Sequence, residues 1–160
     1  MWITRVLFVC TGNICRSPTA EAVFLAKAAA AGLEVVADSA GTSDEERGSP
    51  PDPRSVSVAA GRGYELPRRG ARQVRREDFT AFDLIVPVTR AHEHRLRRTA
   101  PPEATARIEL LMSYAPAAGV VDVPDPWYGA LPDFEHALDL IEEGVDGLVV
   151  DLAKAGRPSR

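Results

Sequence analysis

Cysteine is nearly absent from this 160-residue chain: there are two, Cys10 and Cys15, in one short turn. So few, so close together, exclude a disulfide scaffold and point to a reducing, cytoplasmic compartment in which a thiol serves chemistry. No apolar run approaches the ~20 residues of a membrane span. Residues 1–10 lack the basic start and cleavage site of a signal peptide, so no membrane partner is expected, and only export without a signal is left open. Basic charge is not in excess either. With 19 Lys and Arg against 23 Asp and Glu, the net charge is −4 and the pI near 5.4, which argues against nucleic acid as a generic partner. The three histidines, His92, His94 and His136, fall on predicted helices at no metal-ligand spacing. They read as surface residues, and no metal or cofactor is expected. What remains is 45% hydrophobic and 26% charged, the composition of a soluble globular protein. The length suits a single domain over residues 1–160, with the last few residues a tail.

Periodicity supplies the elements. "ITRVLFV" (3–9) reads as a buried strand, "LEVVADSAG" (33–41) as a second, "FDLIVPV" (82–88) as a third and "ARIELLM" (106–112) as a fourth. A helix follows the first strand, with Ser17 as N-cap, Pro18 at the first helical position and Gly32 as its stop. Helices are also predicted over "DPRSVSVAAGRG" (52–63), "RREDFTAF" (75–82) and "RAHEHRLRR" (90–98). The helical spacing of apolar residues from Phe134 to Leu152 is the clearest of all. Strands alternating with helices imply right-handed crossovers and a parallel sheet covered on both faces. Two irregular stretches stand out, "SDEERGSPPDP" and "SYAPAAGVVDVPDPWYGALPD". The second is long enough to suggest function, and its aromatics favour an ordered loop.

The stretch "VCTGNICRSP" (9–18) joins the first strand to the first helix. Gly12 and Asn13 tolerate the left-handed angles of a tight loop. Such a loop can aim successive N–H groups at one point, where the helix N-terminus adds its positive end. The result is a nest for a tetrahedral anion, and the planar fork of Arg16 can grip two of its oxygens. Cys10 would lie at the floor, its thiolate favoured by the same amides and Arg16, with Ser17 as a donor to the sulfur. The arrangement suits in-line attack on phosphorus through a phosphocysteine, with no metal required. A bare Cys and Arg at this spacing are weak evidence, and a buried Cys beside a surface Arg is the plain alternative. The full string is much harder to obtain by chance.

"VCTGNICRSPTAE" together with "DPWYG" (125–129) resembles the low-molecular-weight protein tyrosine phosphatases. Further matches are "DSAGT" (38–42), "SPPDPRS" (49–55), "ARQV" and "EDF" (71–79) and "PDFE" (132–135), so the likeness spans nearly the whole chain. It implies an α/β fold: a four-stranded parallel sheet in flavodoxin-like order 2-1-3-4, helices on both faces, and the anion loop at the switch point. It implies a phosphotyrosine-containing protein as substrate, and phosphate binding by Thr11, Gly12, Asn13, Ile14, Cys15, Arg16 and Ser17. A monomer or weak dimer is expected.

A tyrosyl oxygen leaves poorly, so an acid should protonate it and later activate water. From the residues alone Asp125, between Pro124 and Pro126, reads first as a turn-forming Asp-Pro. The resemblance makes it the general acid. The rate should then peak on the acidic side of neutral. Trp127 and Tyr128 read as an aromatic wall for the substrate ring or as anchors of the loop. Ile14 lines the pocket, and relatives that prefer phosphoarginine tend to carry a smaller polar residue there. Asn13 would hold the loop's shape, and Ser39 resembles the family residue that bonds back to it.

Three positions depart from the family pattern. Glu45 stands where many relatives have an aromatic beside the pocket, giving an acidic wall. Arg69 replaces a His that supports the loop, and reads equally as one of the solvated basic run Arg68, Arg69, Arg72, Arg75 and Arg76. "VTRAH" (88–92) replaces an Asp-containing segment. The resemblance also implies a reversible, redox-protective disulfide between Cys15 and Cys10. A small packing residue is the other reading of Cys15. Two further function classes stand beside the phosphatase. A thiol-dependent arsenate reductase with an internal relay needs cysteines beyond residue 15, and there are none. A catalytically dead phosphate-binding adaptor would have lost Cys10, Arg16 or Asp125, and all are present.

Overall fold

Successive residues of the first strand face opposite layers, and both layers are dry. Val6 and Phe8 pack into one hydrophobic cluster while Leu7 and Val9 pack into another, all four fully buried. A strand that is apolar on both faces must sit inside a sheet covered twice, which is why "VLFV" runs without alternation. In the computed structural model, which describes residues 3–155, this strand β1 (Thr4–Cys10) is central. It pairs in parallel with β2 (Val35–Gly41) and β3 (Leu84–Pro87), and β3 pairs with β4 (Arg107–Ile108), in the order 2-1-3-4. The tail expected at the C-terminus lies outside the described residues.

One face carries α1 (Arg16–Ala30), α2 (Pro53–Gly61) and α5 (Leu131–Ala155). Phe24 of α1 meets Phe8 edge-on at 5.4 Å between centroids. Phe134, Leu138, Ile141, Val145 and Leu148 form the buried stripe of α5. Each such side chain contributes roughly 1.5–3 kcal/mol of burial. The other face carries α3 (Asp78–Ala81) and α4 (Arg90–Thr99), through Phe79 and Leu96. The sheet order and the helices on both faces agree with the expectation.

Three local expectations need correction. Helix α1 begins at Arg16 with Cys15 at the cap position, and no side chain caps it. Ser17 is therefore inside the first turn, and its hydroxyl is turned to other partners. The fourth strand is two residues long, because Leu111 and Met112 belong to a 3-10 turn, Leu111–Tyr114, that packs on α5. Gly144 makes room there: a Cβ on it would lie 2.7 Å from Leu111 Cγ. Finally, Asn13 alone of the loop residues takes a left-handed angle, φ 59°, and Gly12 does not.

Candidate active site

The β1–α1 loop turns its carbonyls outward. Cys10 O accepts from Thr42 N–H at 2.8 Å, Thr11 O from Ser43 N–H at 3.1 Å, and Ile14 O from Asp52 N–H at 2.8 Å. Among the described residues, no acceptor is paired with the N–H groups of residues 12–16. With the uncapped α1 N-terminus beside them, these amides are left without a protein acceptor, the condition an anion nest requires. The loop is braced from below. Asn13 Nδ2 donates to Ser17 Oγ at 2.8 Å and to Ser39 Oγ at 3.0 Å, while Asn13 Oδ1 accepts from Arg72 N–H at 3.0 Å. That fixed side chain explains why a non-glycine residue holds the left-handed conformation. Gly41 lets the β2 end approach: a Cβ there would sit 2.4 Å from Thr11 O.

Cys10 is buried, with its Sγ 3.0 Å from Ser17 Oγ. Arg16, 5% exposed, donates from Nη1 to Val123 O at 2.9 Å, and its Nη2 lies 3.5 Å from Asp125 Oδ2. Arg16, the first residue of α1, thereby ties the end of the β1–α1 loop to the segment that carries "DPWYG". Asp125 caps the short turn that follows it, its Oδ1 accepting from Trp127 N–H at 3.1 Å. The cleft of about 340 Å³ above the loop is lined by Cys10, Thr11, Gly12, Ile14, Cys15, Arg16, Glu45, Glu46, Asp125, Trp127 and Tyr128. Trp127 and Tyr128 stack edge-on at 4.9 Å, and Tyr128 is 85% exposed.

Cys15 is buried at the back of the loop, and burial pushes its thiol up to about 12, with the Asp52 and Cys10 charges adding to the shift. Both cysteines are free thiols. Arg69 does not touch the loop. It pairs with buried Glu21 and, at 2.5 Å, with Asp38, and Asp38 in turn pairs with Arg72 at 3.0 Å. The residue that reaches Asn13 is Arg72, through its backbone, and its side chain pairs with the buried Asp78 at 2.9 Å. The basic run is thus not uniformly solvated.

Four contributors escaped the sequence. Glu46 joins Glu45 on the rim. Arg54 spans the cleft's edge, paired with Asp52 at 2.9 Å, donating to the carbonyls of Trp127 and Gly129, and lying over the Phe134 ring. Gly41 was hidden because only the three-dimensional approach demands it. The fourth is a correction: His92 is not a surface residue. It is 6% exposed, and its Nε2 lies 2.7 Å from Thr11 Oγ1. Burial first, and then the charge of Arg16, hold its pKa down at about 4. Among the described residues, no group of three or more His, Cys, Asp or Glu side chains converges as metal ligands do, and no helix is long and apolar enough to cross a membrane.

Known proteins are similar to this chain over almost its full length. A family model described as low molecular weight phosphotyrosine protein phosphatase matches residues 5–157. A low molecular weight protein-tyrosine-phosphatase of Streptomyces coelicolor is 49% identical over 150 residues, covering 91% of each chain. The crystal structure of a protein tyrosine phosphatase from Entamoeba histolytica superposes with a TM-score of 0.90 at 31% identity, covering 96% of this chain and 99% of that one. YfkJ from Bacillus subtilis gives 0.89 at 36% identity, covering 98% and 99%. The chain belongs to the low molecular weight phosphotyrosine protein phosphatase family.

Proposed function

We propose that this phosphatase hydrolyses phosphotyrosine in proteins in two steps centred on Cys10. The Cys10 thiolate attacks phosphorus while Arg16 and the amides of residues 12–16 hold the three peripheral oxygens. The bond from phosphorus to the tyrosyl oxygen breaks, its electron pair stays on that oxygen, and Asp125 delivers the proton. The Asp125 carboxylate then takes a proton from water as the water oxygen attacks phosphocysteine. The sulfur leaves as thiolate, aided by the Ser17 hydroxyl, and phosphate is released. Ile14, Trp127 and Tyr128 flank the substrate ring. The observation that carries this reading is the meeting of Cys10, Arg16 and Asp125 in one cleft, with Asp125 3.5 Å from Arg16.

The test compares hydrolysis of phosphotyrosine, phosphoserine and phosphoarginine peptides by the parent, Cys10→Ser and Asp125→Ala. Strong phosphotyrosine preference, abolished at Cys10 and much reduced at Asp125, is expected. A folded parent that binds phosphate and hydrolyses none of the three would favour a phosphate-binding adaptor instead.

A further inference from the structure

The β3–α4 turn and the first residues of α4, 88–92, grip both loops of the cleft. On one side Val88 O accepts from Val123 N–H at 3.0 Å, and Arg90 N–H donates to Asp122 Oδ1 at 2.8 Å. These bonds fix the segment that leads into Asp125. On the other side His92 reaches the phosphate loop: its Nε2 lies 2.7 Å from Thr11 Oγ1 and its Nδ1 2.8 Å from Thr89 Oγ1. Both His92 and Thr89 are buried, so a polar atom left without a partner here would carry its full desolvation cost.

The bonding partners assign the tautomer. Thr89 Oγ1 already accepts the His92 backbone N–H at 3.2 Å, as the cap of α4. The Thr89 hydroxyl hydrogen needs an acceptor, and Nδ1 supplies it. The ring proton therefore sits on Nε2 and is donated to Thr11 Oγ1. With its oxygen engaged as an acceptor, Thr11 keeps its own hydrogen free, and Thr11 lines the cleft beside Cys10, Gly12 and Arg16. The ring stays neutral at ordinary pH, because burial and Arg16 disfavour its charged form more than the facing Asp122 and Asp125 favour it.

We propose that His92 is a positioning residue that fixes the Thr11 hydroxyl as a side-chain donor to the bound phosphate group. The loop thereby gains a hydrogen bond beyond those of its amides and Arg16, aligned from the same turn that holds the Asp125 segment. This inference rests on the cleft being the phosphate site described above.

The experiment is calorimetric titration with inorganic phosphate, alongside thermal melting, for the parent, Thr11→Val, Thr11→Ser, His92→Ala and the Thr11→Val/His92→Ala double variant. Thr11→Val should weaken phosphate binding about five- to tenfold, and His92→Ala by a similar factor. The double variant should lose no more than the worse single one, because the two act through one bond. Thr11→Ser, which keeps the hydroxyl, should recover most of the affinity. Thr11→Val binding phosphate as tightly as the parent, or losses that multiply in the double variant, would overturn the inference while leaving the phosphate site intact. A parent that does not bind phosphate would bring down both. If His92→Ala melts below the assay temperature, His92→Phe, which fills the site without the ring N–H, takes its place and should weaken phosphate binding by the same factor; parent-like binding there would overturn the inference.

Discussion

The Arg16 guanidinium joins two loops that lie more than a hundred residues apart: Nη1 donates to Val123 O at 2.9 Å, and Nη2 stands 3.5 Å from Asp125 Oδ2. The group proposed to hold phosphate also steadies the group proposed to protonate the leaving oxygen. Asp125→Asn preserves shape and the contact to Arg16 but removes the proton. It should lower kcat on a phenyl phosphate by about 10²–10³, within the range of general acid catalysis. The loss should shrink for esters of more acidic phenols, which leave without help. Steady-state rates across a series of substituted phenyl phosphates check this, and equal losses along the series would exclude the acid role.

The rim of the cleft is acidic on one side, through Glu45 and Glu46. Phosphotyrosine peptides with Lys or Arg beside the phosphorylated residue should therefore be preferred over peptides with Glu there, by about three- to tenfold in kcat/KM at low salt. The preference should fade as salt rises, and the double variant Glu45→Lys/Glu46→Lys should reverse it. Competition between two such peptides, measured at low and high ionic strength, gives the answer. A preference that ignores salt would show that shape, not charge, selects the peptide.

His92 is neutral in the fold and must be charged in the acid-unfolded chain. Its folded pKa lies near 4, below the ordinary value of 6.5, so its contribution to stability is present above about pH 6.5 and is lost as the pH falls toward 4. The loss amounts to about 3 kcal/mol at 1.36 kcal/mol per pKa unit. Denaturant unfolding between pH 7 and 4 should show this slope in the parent and a shallower one in His92→Gln. Parallel slopes in the two proteins would show that other groups carry the acid sensitivity.

Cys15 bears on oxidation. If peroxide converts Cys10 to a sulfenic acid, a disulfide would form as the Cys15 thiolate attacks that sulfur and hydroxide leaves, and burial holds the Cys15 thiol up at about 12. Closure should therefore quicken about tenfold per pH unit through neutrality. After a peroxide pulse, the fraction of activity recovered by reductant should rise with pH in the parent and stay low in Cys15→Ala. Equal recovery in the two would remove the protective role.

The central features were legible because they are local. The apolar run of β1, the loop that follows it and the stripe of α5 are written in neighbouring residues; the parallel sheet follows from alternating elements, and its strand order from the family likeness alone. What escaped was set by distant partners. His92 looks like any polar residue on a helix dominated by Arg, and its ring's partner, Thr11, lies 81 positions away. Arg72 reads as one of a charged run until Asp38 and Asp78 are seen around it. The fourth strand was overextended because Leu111 and Met112 are apolar for the sake of α5, not of the sheet. Ser17 resembled a cap by type and position, yet its hydroxyl is committed to Cys10 and Asn13.

The β1–α1 loop, proposed to hold phosphate, spends the carbonyls of Cys10, Thr11 and Ile14 on Thr42, Ser43 and Asp52 before any substrate arrives. Its amides are consequently held in place by the rest of the fold and need not reorganise when an oxyanion enters. A receptor so prepared discriminates poorly between the ester it consumes and the free anion it releases, since both present the same oxygens. Inorganic phosphate should thus compete with substrate, and turnover in a phosphate-rich environment would fall with the fraction of clefts the free anion occupies.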